Sequence, residues 1–308
     1  MHSDAQLGQY IPLHYHYQML LDEARMRGFA QAIAYNVLEG ARVLELGGGT
    51  GVLSCFAARQ GARVWCVERQ PELAETARRL LEDNGVGDRV EVVTADVGQY
   101  LPPEPVDFVI CEMLHSALLR EKQIQIIDDF KRRYLEVYES LPRFIPEATL
   151  LGVEPVQHDF DFFGYHATVP VFEDPANPFA NTISLGDPTH YAIIDYSGQL
   201  PSELRISGQL PVNKDGFVNA LRFITSNVLA VMPETGGTIQ WMNQNLILPL
   251  PADLLVQSGS LLDLAFAYKP GDEIQALSAG IQVSAPEIPA DAARPTQAPS
   301  AGFSVAGS

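Results

Sequence analysis

The chain has 308 residues, of which 46% are hydrophobic and 9% aromatic, and its formal net charge is −18 at pH 7. This charge argues against a nucleic-acid partner, because phosphate backbones are bound through lysine and arginine; it favours a cationic substrate or simply an acidic, soluble surface. No window approaches about 20 uninterrupted apolar residues and the N-terminus does not resemble a signal peptide, so we expect a cytoplasmic protein without a membrane span.

Helical and β patterns alternate through the first half of the chain. Residues 1–40 are predicted to be N-terminal helices, with one helix over 16–37. Over 41–147, short β-branched runs alternate with helical stretches, which predicts an α/β domain with a parallel, Rossmann-like sheet. One of its helices is predicted to start at Pro71 and to end before Gly85. All three cysteines lie in apolar segments without metal-ligand spacing, so they are predicted to be buried free thiols.

The pattern of apolar and turn-forming residues changes after this domain. Residues 148–282 contain short alternating segments separated by Gly, Pro, Asn and Asp, which predicts an antiparallel β domain, a barrel or a sandwich. The remaining tail, 283–308, is rich in Pro, Ala and Ser and is predicted to be disordered.

A glycine-rich turn follows the first predicted strand in "VLELGGGTGVLS". Gly47, Gly49 and Gly51 allow the backbone to turn tightly and to approach a ligand closely. Glu68 ends the next strand, 21 positions after Gly47, where an acid can bind both hydroxyls of a ribose. Asp96 follows the third strand, in a position suited to an adenine amine. The G-x-G-x-G spacing differs from the G-x-G-x-x-G of dinucleotide enzymes.

This motif set resembles that of class I S-adenosylmethionine-dependent methyltransferases. The resemblance implies S-adenosyl-L-methionine as cofactor and S-adenosyl-L-homocysteine as product. The cofactor-binding residues that it implies in this part of the chain are Glu45, Gly47, Gly49, Gly51, Glu68, Asp96 and Val97.

A second resemblance is carried by "CEMLHSALLRE", in which Glu112 and Glu121 are nine positions apart. It resembles the double-glutamate loop of the protein arginine methyltransferases. "YIPLHYHYQMLLDEARMRGF" is similar to the cofactor-covering helices of that family, and "GTIQWMNQNLILPL" to its Thr-His-Trp loop. The further site residues that this similarity implies are Tyr10, His16, Met19, Arg25, Gln240 and Trp241.

The resemblance implies a role for several of these side chains. Arg25 pairs with the methionine carboxylate of the cofactor, while Glu112 and Glu121 bind a guanidinium. Two carboxylates suit this cation, because its planar edges accept them bidentately and so orient one nitrogen toward the methyl group. The family resemblance also implies a homodimer, with 162–190 as a candidate dimerisation arm, substrate lid or long loop.

The sequence departs from the family pattern at the acceptor end. Gln240 replaces the family histidine, and Met113, Leu114 and His115 replace a Trp-Met-Gly sequence. His115 can be read as a general base for another acceptor or as a packing histidine. No metal is expected, because His14 and His16 lack a third ligand.

These departures leave the acceptor open between a peptide and a small molecule. Three functions are compatible with them. The first is an arginine-methyltransferase-like enzyme acting on a guanidino or related nitrogen. The second is a small-molecule methyltransferase of natural-product metabolism, and the third is a non-catalytic cofactor-binding regulator.

Overall fold

The structure is a computed structural model that describes residues 13–285. The predicted substrate residue Tyr10 therefore lies outside the described residues, as does most of the predicted disordered tail, 286–308. Within the described range, no helix combines the length and the apolar character needed to cross a membrane. All three cysteines are buried free thiols, as predicted.

Two helices, rather than one, precede the first strand. They are α1 (Leu13–Leu21) and α2 (Glu23–Asn36), whereas the sequence predicted a single helix over 16–37. The helix is interrupted at Asp22, whose side-chain oxygen accepts a hydrogen bond from the backbone amide of Arg25 at 2.9 Å. An aspartate in this N-cap position satisfies an amide that the helix leaves unpaired, so it favours the start of a new helix.

A five-stranded parallel sheet forms the centre of the first half. Its strands are β1 (Arg42–Leu46), β2 (Arg63–Glu68), β3 (Val90–Thr94), β4 (Phe108–Cys111) and β5 (Arg143–Ile145). The helices that connect them are α3 (Val52–Arg59), α4 (Pro71–Asp83) and α5 (Gln123–Tyr138). The spatial order is β3-β2-β1-β4-β5 and every neighbouring pair is parallel, which confirms the predicted Rossmann-like domain. The predicted helix at Pro71 is α4, and Gly85 follows it with a φ of 72°.

The strand order brings the carboxyl ends of β1 and β4 side by side. Leu46, the last residue of β1, is paired with Cys111, the last residue of β4. Gly47 and Glu112 therefore leave the sheet at the same edge. The order reverses at β1, which has β2 on one side and β4 on the other, and ligands of open parallel sheets bind at such a switch point.

Antiparallel sheets make up most of the second half. Their elements are β6 (Ala148–His158), β7 (Asp161–Phe162), β8 (Tyr165–His166), β9 (Val171–Glu173), β10 (Thr182–Ser184), β11 (Thr189–Asp195), β12 (Leu204–Pro211), β13 (Gly216–Met232), β14 (Gly237–Met242), β15 (Asn245–Val256), β16 (Leu261–Tyr268), α6 (Ile274–Gly280) and β17 (Gln282–Ser284). The seven-stranded sheet follows β10-β6-β13-β15-β9, with β11 added on β6 and β14 on β13. A three-stranded sheet has the order β12-β16-β17. This barrel-like domain confirms the predicted antiparallel architecture.

The segment 162–190 is integrated into this domain except at one hairpin. β9 pairs with β15, and β10 pairs with β6, so both short strands extend the larger sheet. β7 and β8 pair only with each other, and Phe163 at their turn is fully exposed. The hairpin therefore lies outside the larger sheets and presents a fully exposed apolar side chain to the surroundings.

The two halves of the molecule pack through α2 and β14. A Cβ on Gly28 of α2 would lie 3.0 Å from Leu229 Cδ1 and 3.5 Å from the backbone oxygen of Gln240, so glycine permits the close approach. The rings of Phe29 and Trp241 are 6.1 Å apart across the same contact. The barrel-like domain is thus held against the helix that carries Arg25.

Candidate active site

One cavity lies at the carboxyl edge of the parallel sheet. It has an empty volume of about 1040 Å³, and its walls come from the N-terminal helices, the turn after β1 and the ends of β2 and β4. The predicted site residues that line it are His16, Met19, Arg25, Glu45, Gly47, Gly49, Glu68, Asp96, Val97, Glu112 and Glu121. Residues that belong to separate sequence motifs therefore meet around a single space.

The turn after β1 passes close to side chains that cover it. Gly47 and Gly49 have φ values of 76° and 56°, in the left-handed region that glycine adopts most easily. A Cβ on Gly47 would lie 2.5 Å from Met113 Cε, and one on Gly49 would lie 2.9 Å from His16 Cε1. Gly51 also has a positive φ, of 77°, but it caps α3 and does not line the cavity. A side chain at Gly47 or Gly49 would therefore collide with Met113 or His16, so glycine allows these residues to cover the turn closely.

Acidic side chains at the end of β2 and after β3 are oriented by backbone amides. Glu68 Oε2 accepts a hydrogen bond from the amide of Gly49 at 3.1 Å, and its Oε1 accepts one from the amide of Gln70 at 2.8 Å. Asp96 Oδ1 accepts one from the amide of Gly98 at 2.7 Å. A carboxylate oxygen has two lone pairs, so both side chains retain acceptors for hydroxyl or amine groups of a ligand.

Glu45 is buried at the end of β1 and is 3% exposed. Its Oε2 accepts hydrogen bonds from the amide of Ser54, at 2.9 Å, and from the Ser54 hydroxyl. Desolvation raises the pKa of Glu45 to about 7, against the opposing effect of the bonds from Ser54. The pair connects the end of β1 to the first turn of α3 and so holds the glycine turn between them. The role of Ser54 was not predicted from the sequence.

Arg25 is half-buried beside Glu112 and has capacity for a further acceptor. The two side chains form an ion pair in which they are 11% and 10% exposed, and the bond runs from Arg25 Nη2 to Glu112 Oε2. Arg25 Nε is also buried, and within residues 13–285 it has no hydrogen-bond partner. A guanidinium can meet carboxylates along more than one edge, so Arg25 fits the carboxylate of a cofactor.

The comparisons with known proteins agree with this geometry. Residues 43–134 match a family model described as a methyltransferase domain. The protein arginine N-methyltransferase PRMT10 of rice (Oryza sativa) is 32% identical over 169 residues, which are 50% of this chain and 44% of the relative. The protein is an S-adenosylmethionine-dependent methyltransferase, and it resembles the class I enzymes. Its methyl donor is therefore S-adenosylmethionine and its product S-adenosylhomocysteine.

The methyltransferase has further relatives over most of its length. An uncharacterized protein of Methanothermobacter thermautotrophicus is 31% identical over 271 residues, 87% of this chain and 97% of that protein. The solved structure of Arabidopsis thaliana protein arginine methyltransferase 10 shares the fold with a TM-score of 0.69 at 21% identity, covering 83% of this chain and 87% of that one. A Trypanosoma brucei PRMT1 enzyme-prozyme complex with AdoHcy gives a TM-score of 0.68 at 17% identity, covering 89% and 98%. The methyltransferase therefore resembles the arginine methyltransferases in fold.

Glu112 and Glu121 of the methyltransferase are both half-buried. Burial raises the pKa of each carboxyl, and the charge of Arg25 at Glu112 and of Arg120 at Glu121 opposes that effect. The charge of Glu121 also raises the pKa of Glu112, so it disfavours ionisation of that carboxyl. A cation held between them would remove both the repulsion and part of the desolvation penalty.

His115 lies between the two glutamates in sequence but does not line the cavity. Its ring meets the edge of Phe172 in β9, with the ring centres 5.4 Å apart. Burial lowers its pKa below the usual value for histidine. These contacts favour the reading of His115 as a packing histidine over its reading as a general base.

Gln240 and Trp241 of β14 take different orientations. Gln240 is exposed, and its side chain hydrogen-bonds Ser226 Oγ at 3.2 Å and Thr238 Oγ1 at 2.6 Å. The Trp241 indole donates to Asp22 Oδ2 at 3.2 Å, and its ring centre is 5.8 Å from the Arg25 guanidinium carbon. Neither residue lines the cavity, but Trp241 supports the helix start that positions Arg25.

The loop between the two glutamates contains a strained turn that the sequence did not reveal. Ala117, Leu118 and Arg120 have φ values of 56°, 55° and 62°, although none of them is glycine. Residues in this region cost about 1 kcal/mol or more each, so other contacts must hold them.

Those contacts come from the barrel-like domain. Thr225 Oγ1 accepts a bond from the Ala117 amide at 2.7 Å, and the Tyr268 hydroxyl donates to the Ala117 carbonyl at 2.9 Å. Asn243 Nδ2 donates to the Leu114 carbonyl at 3.2 Å. These partners lie more than 100 positions along the chain from the loop, so no local spacing pointed to them.

Proposed function

We propose that this methyltransferase transfers a methyl group to a guanidino or related cationic nitrogen held by Glu112 and Glu121. The observation that carries the proposal is that both carboxylates line the same cavity as the glycine turn and Glu68. A donor bound along the turn and an acceptor bound by the glutamates would share one space. Such an arrangement lowers the barrier by holding two reactants in contact.

The residues of the chain are suited to orient both reactants. Bound S-adenosylmethionine would supply an electrophilic methyl group on a sulfonium. Arg25 would hold its carboxylate and Glu68 its ribose, while Asp96 would accept from the adenine amine. His16 and Met19 would cover it from α1, and Val97 would contact it from the turn after β3.

The two glutamates would bind and orient the acceptor. An ionised carboxylate meets a guanidinium through two parallel hydrogen bonds, so a pair of carboxylates fixes the plane and the position of the group. The bound cation also offsets the repulsion between Glu112 and Glu121. The net charge of −18 supports the same class of acceptor, because the field of an acidic protein attracts cations.

We propose a cationic acceptor, which can be either a peptide or a small molecule. The transfer assay described below distinguishes the two. The rice relative is named a protein arginine N-methyltransferase, which supports a peptide acceptor. The substitution of Met113, Leu114 and His115 in the glutamate loop supports a small guanidino metabolite instead. In either case we propose that residues 41–147 bind the cofactor and that residues 148–282 complete the acceptor side.

We also propose that the protein is a homodimer that forms through the hairpin of 162–190. Phe163 is fully exposed at its turn and Tyr165 is 72% exposed. Exposed aromatic side chains are enriched at protein interfaces. Sedimentation of the protein and of a Phe163→Ser variant tests this: a dimer that the substitution converts to monomer supports it, and a monomeric parent protein contradicts it.

The decisive experiment is a transfer assay with labelled S-adenosylmethionine. The acceptors are an arginine- and glycine-rich peptide, methylguanidine and free arginine, with the matching lysine peptide as control. We expect labelling of a guanidino acceptor that Glu112→Gln reduces by about 10²-fold or more, since one ionised hydrogen-bond acceptor is lost from a buried site. Binding of S-adenosylhomocysteine by both proteins, measured by calorimetry, shows that the variant is folded. Labelling of non-cationic acceptors alone would contradict the proposal.

A further inference from the structure

Gln123 is a buried polar residue whose two amide atoms bond on either side of Glu112. It is the first residue of α5 and is only 1% exposed. Its Nε2 donates to the Cys111 carbonyl at 2.7 Å, and its Oε1 accepts from the Met113 amide at 2.9 Å. One side chain thus hydrogen-bonds the backbone of the residues directly before and after Glu112.

These two bonds replace partners that the sheet cannot provide. The pairing of β4 with β1 ends at Cys111, and its pairing with β5 ends at Ile110. The peptide groups around Glu112 therefore lie beyond the last rung on both sides. Buried backbone groups are almost always hydrogen-bonded, so Gln123 supplies the donor and the acceptor that a neighbouring strand would otherwise give.

Gln123 also connects the two ends of the glutamate loop. It follows Glu121 by two positions, while its amide holds the residues that flank Glu112. The loop 112–121 is therefore closed at its base by one side chain. Thr225 and Tyr268 fix its middle at Ala117. The relative placement of the two carboxylates depends on both attachments.

We propose that Gln123 is a positioning residue that holds Glu112 and Glu121 as one clamp for the acceptor. The proposal rests on the function proposed above. A neutral amide suits this position, because it offers both a donor and an acceptor without adding charge. An ionised carboxyl at position 123 would be able to accept from Met113 but not to donate to Cys111, and it would add a third acid to the site.

A near-isosteric substitution separates the hydrogen bonds from the packing. Gln123→Met keeps most of the side-chain volume and removes both backbone bonds, together with the longer bond that Gln123 Oε1 accepts from the Cys111 thiol at 3.3 Å. Gln125→Met is the matched control, because Gln125 lies on the same helix two residues later and bonds the Pro270 carbonyl instead. Each variant is assayed with the arginine- and glycine-rich peptide, and its dissociation constant for S-adenosylhomocysteine is measured by calorimetry.

We expect Gln123→Met to lower kcat/KM for the peptide by about 10²-fold, the loss typical of a misplaced reacting group. The dissociation constant for S-adenosylhomocysteine is expected to stay within about threefold, because the side chains proposed to hold it, Arg25, Glu68 and Asp96, lie on other elements. Gln125→Met should change neither quantity. Equal losses in cofactor and acceptor binding, or an unchanged kcat/KM, would overturn the proposal.

Hydrogen exchange of the loop provides a readout that does not need an acceptor. Amides of 112–121 should exchange faster in Gln123→Met than in Gln125→Met, because the hydrogen bonds from Gln123 to the backbone of Cys111 and Met113 are lost. If the parent protein methylates no guanidino compound, the proposed function fails, and the exchange result still decides whether Gln123 holds the loop. Unchanged exchange in the Gln123 variant would contradict that role.

A second variant covers the case in which Gln123→Met does not fold. Gln123→Glu is isosteric, and its protonated carboxyl can donate to the Cys111 carbonyl, while the ionised form cannot. Loop protection in this variant should therefore fall as pH rises through the pKa of the new carboxyl, and the parent protein should show no such step. A variant with the pH profile of the parent would overturn the proposal.

Discussion

The cofactor end and the acceptor end of the cavity are built in different ways. At the cofactor end, the Glu68 carboxylate accepts hydrogen bonds from the amides of Gly49 and Gln70, which lie just beyond the ends of neighbouring parallel strands. At the acceptor end, the loop after Glu112 is held by Thr225 and other residues of the barrel-like domain. The first arrangement is local in sequence, and the second joins residues more than 100 positions apart.

This difference implies that the two ends can be altered separately. The turn after β1 and the ends of β2 and β3 belong to one continuous βαβαβ segment, and its hydrogen bonds join residues of that segment. The glutamate loop contains three non-glycine residues with positive φ, so its shape depends on the domain that packs against it. Changes in the barrel-like domain should therefore affect acceptor use and leave cofactor binding in place.

The largest separation is expected for Glu121→Gln. This substitution removes one charge of the carboxylate pair, so methyl transfer to a guanidino acceptor should fall by about 10²-fold or more. Binding of S-adenosylhomocysteine, measured by calorimetry, should change little. The exposed Glu82 provides a control, since Glu82→Gln should alter neither quantity. A Glu121 variant with full transfer activity would contradict the role of the pair.

The converse effect is expected at Glu68. Glu68→Ala removes a charged acceptor that holds the Gly49 amide and would hold the ribose. Hydrogen bonds to charged groups contribute about 1.5–3 kcal/mol, so the dissociation constant for S-adenosylhomocysteine should rise by roughly 10- to 100-fold. The exposed Glu72 on α4 is the control for the loss of an acid. Unchanged cofactor affinity in the Glu68 variant would contradict this assignment.

A smaller effect is expected from Thr225→Val in the barrel-like domain. Valine keeps the shape but leaves the buried Ala117 amide without its acceptor, a loss of about 1–3 kcal/mol. We expect kcat/KM for the acceptor to fall about tenfold while cofactor affinity is retained. Ser226→Ala, at the adjacent position on β13, is the control. Loss of cofactor affinity in the Thr225 variant would show that the two ends are not separable.

The smallest effect concerns Glu45 and the pH dependence of stability. Its pKa is about 7 in the folded protein, against 4.5 for an ordinary glutamate in water, so the folded state binds more protons than the unfolded chain between these values. Stability therefore falls as pH rises through this window. The melting temperature of the cofactor-free protein should fall by a few degrees more than that of Glu45→Gln between about pH 5 and pH 8. Parallel pH profiles would contradict the shifted pKa.

The sequence predicted the cofactor end more completely than the acceptor end. Gly47, Gly49, Glu68 and Asp96 were identified because each follows a strand of the same sheet, and parallel strands bring their carboxyl ends to one edge. The start of α4 at Pro71 was predicted for a similarly local reason. The helix interruption at Asp22 was missed, because a side-chain cap competes with a continuous helical pattern.

At the acceptor end, sequence spacing was a poor guide to orientation. His115 lies between the glutamates, yet it contacts Phe172, because the loop reverses through residues with positive φ. Gln240 aligns with a family histidine, but its amide bonds Ser226 and Thr238 on the surface of the sheet. The orientation of His115 depends on a ring from another strand, and that of Gln240 on Ser226 of β13 as well as on Thr238 of its own strand.

The amino-acid sequence by itself determined the succession of helices and strands, the parallel sheet and the acids at its carboxyl edge. Those features depend on hydrophobic periodicity and on turns of a few residues, which are local interactions. Tertiary structure decided how Glu112 and Glu121 are placed, through Gln123 beside β4 and through the barrel-like domain around Ala117. The physical reason is that buried peptide groups beyond the end of a strand take whatever partner the fold brings to them, and that partner can lie anywhere in the chain.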